Sequence, residues 1–219
     1  MLSLILKDIL VQKKQIIFAL AYIIIVMVAF QSFGAAMFPA GMVAFTYILI
    51  ITSCAYEDKN NSHIVINSLP VSRWEVVLAK YLSAIVFLTM GIVAYIIIKQ
   101  IVVISGIPLK TYPITIEYLV SAVFSFSLMN AVYLPIFFKF GYMKSKMVNF
   151  ILFFTFFFGG STLVGFISDS RQKEWVSIIE NNLNKLSPQS IAVIIISVSV
   201  ILLAVSYGVS VKLYNGREF

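Results

Sequence analysis

Charge is what this chain has least of. Only 11% of its 219 residues are Asp, Glu, Lys or Arg, and none of them lies between Ile16 and Tyr56. There is one cysteine, Cys54, and one histidine, His63. A single cysteine excludes an intrachain disulfide framework, and inside an apolar run it reads as a small buried side chain. One His, one Cys and singly scattered carboxylates provide no metal-ligand spacing, so no metal site is expected. No Gly-Lys pair occurs anywhere. The phosphate-cradling loop of an ATPase is therefore missing, and the chain is not expected to be an enzyme. An intramembrane protease would need a Ser/His pair or two aspartates within its apolar segments. His63, Asp58 and Asp169 all lie outside them.

What is abundant is apolar surface: 61% of residues are hydrophobic and 15% aromatic. That composition belongs to membrane proteins. About 20 residues at 1.5 Å rise cross a hydrocarbon core of roughly 30 Å, and runs of that length fill most of the chain. The expected fold is an all-α integral membrane protein, with residues 1–219 forming a single transmembrane domain. The formal charge of +7 is spread beside apolar runs and not gathered in a patch, which fits topology signals better than nucleic-acid binding.

Leu2, Ile5, Leu6, Ile9 and Leu10 recur at helical spacing, with Lys7, Asp8, Lys13 and Lys14 around them. The spacing predicts an interfacial helix over 1–15, apolar side toward the acyl chains and lysines toward lipid headgroups. Basic residues before an apolar core, with Ser32-Phe33-Gly34 beyond it, also resemble a secretion signal. The segment is expected to be retained as the first span. The uncharged run from Ile16 to Tyr56 would make one helix of about 60 Å, twice the bilayer core. It must fold into two spans.

Six spans are expected, at about 16–32, 38–56, 76–98, 117–138, 147–168 and 189–211. A bend is predicted near Pro135, and a basic turn at Lys139, Lys144 and Lys146. Trp175, Ile178, Ile179, Leu183 and Leu186 predict a short amphipathic helix over 172–186 on the opposite surface. Ser187-Pro188 supplies an N-cap and first-turn proline for the last span. With both termini on one side, eleven of the 16 Lys and Arg residues fall on that side. The positive-inside effect then places the termini and the 57–75 loop in the cytosol.

That loop is the best-marked polar segment. Ser72 and Glu75 match a capping box, flanked by Val71 and Val76 where a hydrophobic staple sits. Pro70 stops the preceding helix. Arg73 therefore begins a new helix whose first two turns stand outside the bilayer core, where Lys80 is expected to snorkel. Capping alone accounts for Ser72 and Glu75. It does not account for Ile64-Val65-Ile66, an apolar triplet in a polar loop, which points to a contact surface.

Six spans, a leading amphipathic helix, and the loop Tyr56-Glu57 … Ser68-Leu69-Pro70-Val71-Ser72-Arg73 … Val76-Val77 … Lys80-Tyr81 resemble the type-2 ABC exporter permease family. The short form without large outer domains is similar to permeases that export phenol-soluble modulins or antimicrobial peptides. The resemblance implies a permease in the bacterial plasma membrane, working as two copies. It implies docking of a separate ATPase subunit, which would bring ATP and Mg, through a coupling helix at about 60–69. Ile64, Ile66 and Leu69 would be its apolar contacts. Glu57, Asp58, His63, Pro70 and Arg73 would surround them. Asn60-Asn61 are poor interior helix residues, so this helix is expected to be very short. An apolar path for amphipathic or hydrophobic cargo is expected along Met147, Phe150, Phe153, Phe154 and Phe157; the same residues serve equally well as a lipid-facing surface. The runners-up are a partner-independent immunity or assembly protein and a secondary carrier. The carrier reading is weakened by spans with no ionisable residue near their centres.

Overall fold

The structure, a computed structural model, describes residues 2–29, 34, 37–68, 70–107, 112–169 and 186–217. The described residues build helices and no strand. In order these are α1 (Leu2–Val11), α2 (Lys13–Ala29), α3 (Met37–Lys59), α4 (Ser62–Ser68), α5 (Arg73–Ile104), α6 (Ile116–Asp169) and α7 (Pro188–Asn215). Among the described residues, α3, α5, α6 and α7 are long and apolar enough to cross a membrane. The α1–α2 pair makes a fifth such element if counted as one bent span.

α1 and α2 meet at 65°. Gln12 at the corner is buried, and its side-chain oxygen accepts a hydrogen bond from the Thr52 hydroxyl at 3.1 Å. The corner is thus held onto α3. On α1 the spacing sorts the side chains into two faces. Leu4 and Asp8 turn inward, one helical turn apart, while Leu2, Leu6 and Leu10 point outward.

α3 is the post around which the others pack. In its span 67% of residues are buried, against 44% in α5 and 11% in α7. Met42, Phe45, Leu49 and Cys54 are all fully enclosed. α5 approaches α3 closely at Gly91, where an added Cβ would lie 2.7 Å from the Phe45 ring. Small residues permit such backbone approach between apolar helices. α5 also runs to Ile104, past the expected end near Ile98, because Lys99 and Gln100 are followed by a further apolar turn. At 1.5 Å per residue it is about 48 Å long, enough to stand clear of a bilayer core.

The break in α6 falls within the expected basic turn around Lys139, Lys144 and Lys146. Pro135 lies inside the helix, and the non-helical residue is Gly141, at φ 75° and ψ 178°. Asn130, Tyr133 and Asn149 line one small cavity together with Tyr47 of α3. On a continuous helix Asn130 and Asn149 would be about 28 Å apart. The chain therefore folds back at Gly141, giving two arms, 116–140 and 142–169, which share a seat on α3. Lys139, Lys144 and Lys146 sit around this turn on helical backbone.

α7 begins as expected: the Ser187 hydroxyl accepts from the Ser190 N–H at 3.2 Å, and Pro188 takes the first position. It packs through a seam of serines. The Tyr81 hydroxyl lies 2.6 Å from the Ser206 oxygen and 2.9 Å from that of Ser210, and Ser206 donates to the Ala131 carbonyl at 2.8 Å. Three helices are joined by one polar knot, the kind of adhesive that works where the surroundings are as apolar as the side chains. The predicted helix over 172–186 lies outside the described residues except for Leu186.

Candidate functional site

The polar end of the bundle is built by the segment between α3 and α5. α3 continues to Lys59, so Glu57 and Asp58 belong to its last turn and not to a loop. The chain reverses at Asn60 and Asn61. Their N–H groups donate to the Tyr56 and Asp58 carbonyls at 3.1 Å, and Asn61 takes a left-handed φ of 47°. Asn tolerates that region better than most residues. What the two asparagines prevent as helix interior they perform as a turn. Hence α4 is only seven residues, Ser62 to Ser68.

A helix that short has no stability of its own, and its seat is Ile66. Ile66 is 6% exposed over a cavity shared with Val76, Phe138 and Tyr214. Ile64 and Val65 face the other way, 60% and 64% exposed. The expected contact triplet is thus divided: one isoleucine anchors the helix, and two residues remain as an outward apolar pair. Leu69 and the His63 side chain lie outside the described residues. Pro70 is exposed. Ser72 follows with extended backbone, and the Glu75 carboxylate reaches back to accept from the Ser72 N–H at 2.9 Å and from its hydroxyl at 2.6 Å.

Arg73 is engaged within the chain. Its guanidinium donates to the carbonyls of Tyr214 at 3.1 Å and Asn215 at 2.7 Å, and lies 5.9 Å from the Tyr214 ring centroid. Those carbonyls belong to the last turn of α7, where the regular helical donors run out; that of Tyr214 also accepts from the Arg217 N–H at 3.3 Å. A cation at a helix C-terminus also opposes the negative end of the helix dipole. The start of α5 therefore caps the end of α7. Beside it, an added Cβ on Gly141 would lie 2.9 Å from the Arg217 guanidinium and 3.5 Å from the Asp58 carboxylate.

Beneath α4 four charges close into a ring. Lys80 Nζ lies 3.0 Å from Glu57 and 3.3 Å from Asp8, and donates to Ser53 Oγ at 2.7 Å. Lys7 completes the circuit, 3.3 Å from Asp8 and hydrogen-bonded to Glu57. The Lys80 and Asp8 side chains are each only 5% exposed. Lys80 does not snorkel, because acids on α1 and α3 meet it inside the bundle. At Asp8 burial alone would raise the carboxyl pKa, but the Lys80 and Lys7 ammonium groups outweigh it and hold it below the usual value. Sequence reasoning missed this cluster. Its only trace was the Lys7-Asp8 pair, Glu57 at the end of an uncharged run and Lys80 among apolar residues, spread over three helices.

A family model described as "ABC-2 family transporter protein" matches residues 3–215, nearly the whole chain. The chain belongs to the ABC-2 transporter membrane family. Neither the search of curated proteins nor that of solved structures returned a match. Membranes are where ABC-2 members work, as permease subunits and not as ATPases themselves; membership implies an ABC ATPase partner in general terms.

The residues expected to line a path in this ABC-2 chain are split by the second α6 arm. Phe153 turns inward, its ring 4.7 Å from that of Tyr47. Met147, Phe150 and Phe154 face out of the chain, 75%, 62% and 41% exposed. Phe150, Phe154 and Phe158 follow one another along the helix with ring centroids 4.6 Å and 5.8 Å apart, the first pair tilted and the second stacked. The Phe157 side chain lies outside the described residues.

Proposed function

We propose that this chain is the permease subunit of an ATP-driven exporter, with α4 as the helix on which a separate ATPase subunit docks. One observation carries the reading. The loop presents Ile64 and Val65 outward on a helix whose other face is pinned by Ile66 and whose continuation, α5, is a rigid span. A displaced α4 then moves α5 with it. The charge bias supports a cytosolic position for this end and for both termini, and the resemblance to short exporter permeases supports a bacterial plasma membrane. ATP and Mg reside in the partner. Two copies form the pathway, and the Met147, Phe150 and Phe154 face suits a second copy or an amphipathic, peptide-like cargo.

Co-purification tests the dock. Ile64→Asp with Val65→Asp changes only exposed side chains and leaves the fold intact. The account expects the tagged double variant to lose its ATPase subunit while the wild type retains it. A double variant that keeps the subunit at wild-type yield refutes α4 as the dock.

A further inference from the structure

Two feet support the α4 segment: the last turn of α3, carrying Glu57, and the second turn of α5, carrying Lys80. These feet are joined directly at 3.0 Å, and each is also joined to α1, through Lys7 and Asp8. The charges alternate around the ring, so it is neutral as a unit. Neighbouring geometry makes the cluster more than a local pairing. α1 meets α2 at 65°, and its outer face is the exposed Leu2, Leu6 and Leu10. That face offers apolar side chains to a membrane surface, while its inner face offers Asp8 to Lys80.

We infer that Lys7, Asp8, Glu57 and Lys80 are positioning residues that lock α1 and the α4 segment into one rigid body, so that a push on α4 is delivered to α5 against a brace seated at the membrane surface. A buried ion ring is a poor device for stability alone, since well-packed apolar side chains of similar size often serve as well or better. Its directional contacts instead define a single arrangement of three helices. Without it, α4 remains attached to the bundle by Ile66 but tilts independently of α1, and force on the loop dissipates.

The lock is read from a distance. Spin labels at Leu10 on α1 and Ser68 on α4, both exposed, are placed in a Cys54→Ser background and measured in lipid nanodiscs. The wild-type chain alone is expected to give one narrow distribution, and a broad one overturns the inference. Glu57→Gln, whose side chain is 20% exposed, is expected to broaden it; an unchanged width likewise overturns the lock. This arm needs no partner and stands even if the permease reading fails. The transport arm rests on that reading. In the assembled complex, the double replacement Lys7→Met with Asp8→Leu, which frees α1 but leaves the Glu57–Lys80 pair in place, is expected to retain the ATPase subunit and its hydrolysis but lose transport about tenfold. Wild-type transport by that variant overturns the inference. Loss of the ATPase subunit from the unmodified chain would instead indict the docking proposal.

Discussion

The charged ring under α4 and the phenylalanine face of the second α6 arm show opposite ways of finishing a membrane protein. The ring satisfies every charge within the chain: Lys80, Asp8, Glu57 and Lys7 answer one another across three helices. The Met147, Phe150 and Phe154 face is completed by nothing else among the described residues. Buried charge demands a particular partner at a particular distance, whereas exposed apolar surface accepts lipid, cargo or a second copy at almost no cost. One region therefore specifies geometry, and the other leaves it open.

This contrast can be broken by substitution. Lys80→Met should be the most damaging change, leaving buried Asp8 and half-buried Glu57 with only the more exposed Lys7 as a cation. A loss of about 3–5 kcal/mol is expected, read as a large fall in unfolding temperature in detergent; a fall no larger than that of a surface change would dissolve the distinction. Gly141→Ala comes next. It forces a Cβ into a left-handed turn and against Arg217, at a cost of about 1–3 kcal/mol, and should loosen the two α6 arms in hydrogen exchange. Arg73→Ala should cost about 1 kcal/mol or less, with exchange accelerated at residues 212–217 alone. Phe150→Ala should be the mildest, within about 0.5 kcal/mol in detergent. If it instead lowers stability only where two copies associate, the open face is a subunit contact.

Much of this was legible in the sequence because local rules carry it. Ser187-Pro188 starts α7, Asn60-Asn61 shortens α4, and Pro70 with Glu75 delimits α5; each depends on residues within four positions. Three features were not legible. Lys80 was read as snorkelling because its partners lie 72 and 23 residues away in sequence, on α1 and α3. The turn between the two α6 arms was legible from its lysines, but not the residue that makes it: Gly141, which takes a positive φ, allows the reversal, while Pro135 stays within the helix. Ile64, Val65 and Ile66 looked equivalent until the helix gave them different faces. Hydropathy also could not rank the spans. α7 is more apolar than α3, yet far less buried, since lipid and protein interior are equally hospitable to Ile and Val.

Reconstitution tests the central claim most directly. The chain is placed in proteoliposomes with and without its ATPase subunit, and export of a labelled amphipathic peptide is followed. The account predicts flux only with both the subunit and hydrolysable ATP present. Flux of the same size from this chain alone would contradict it.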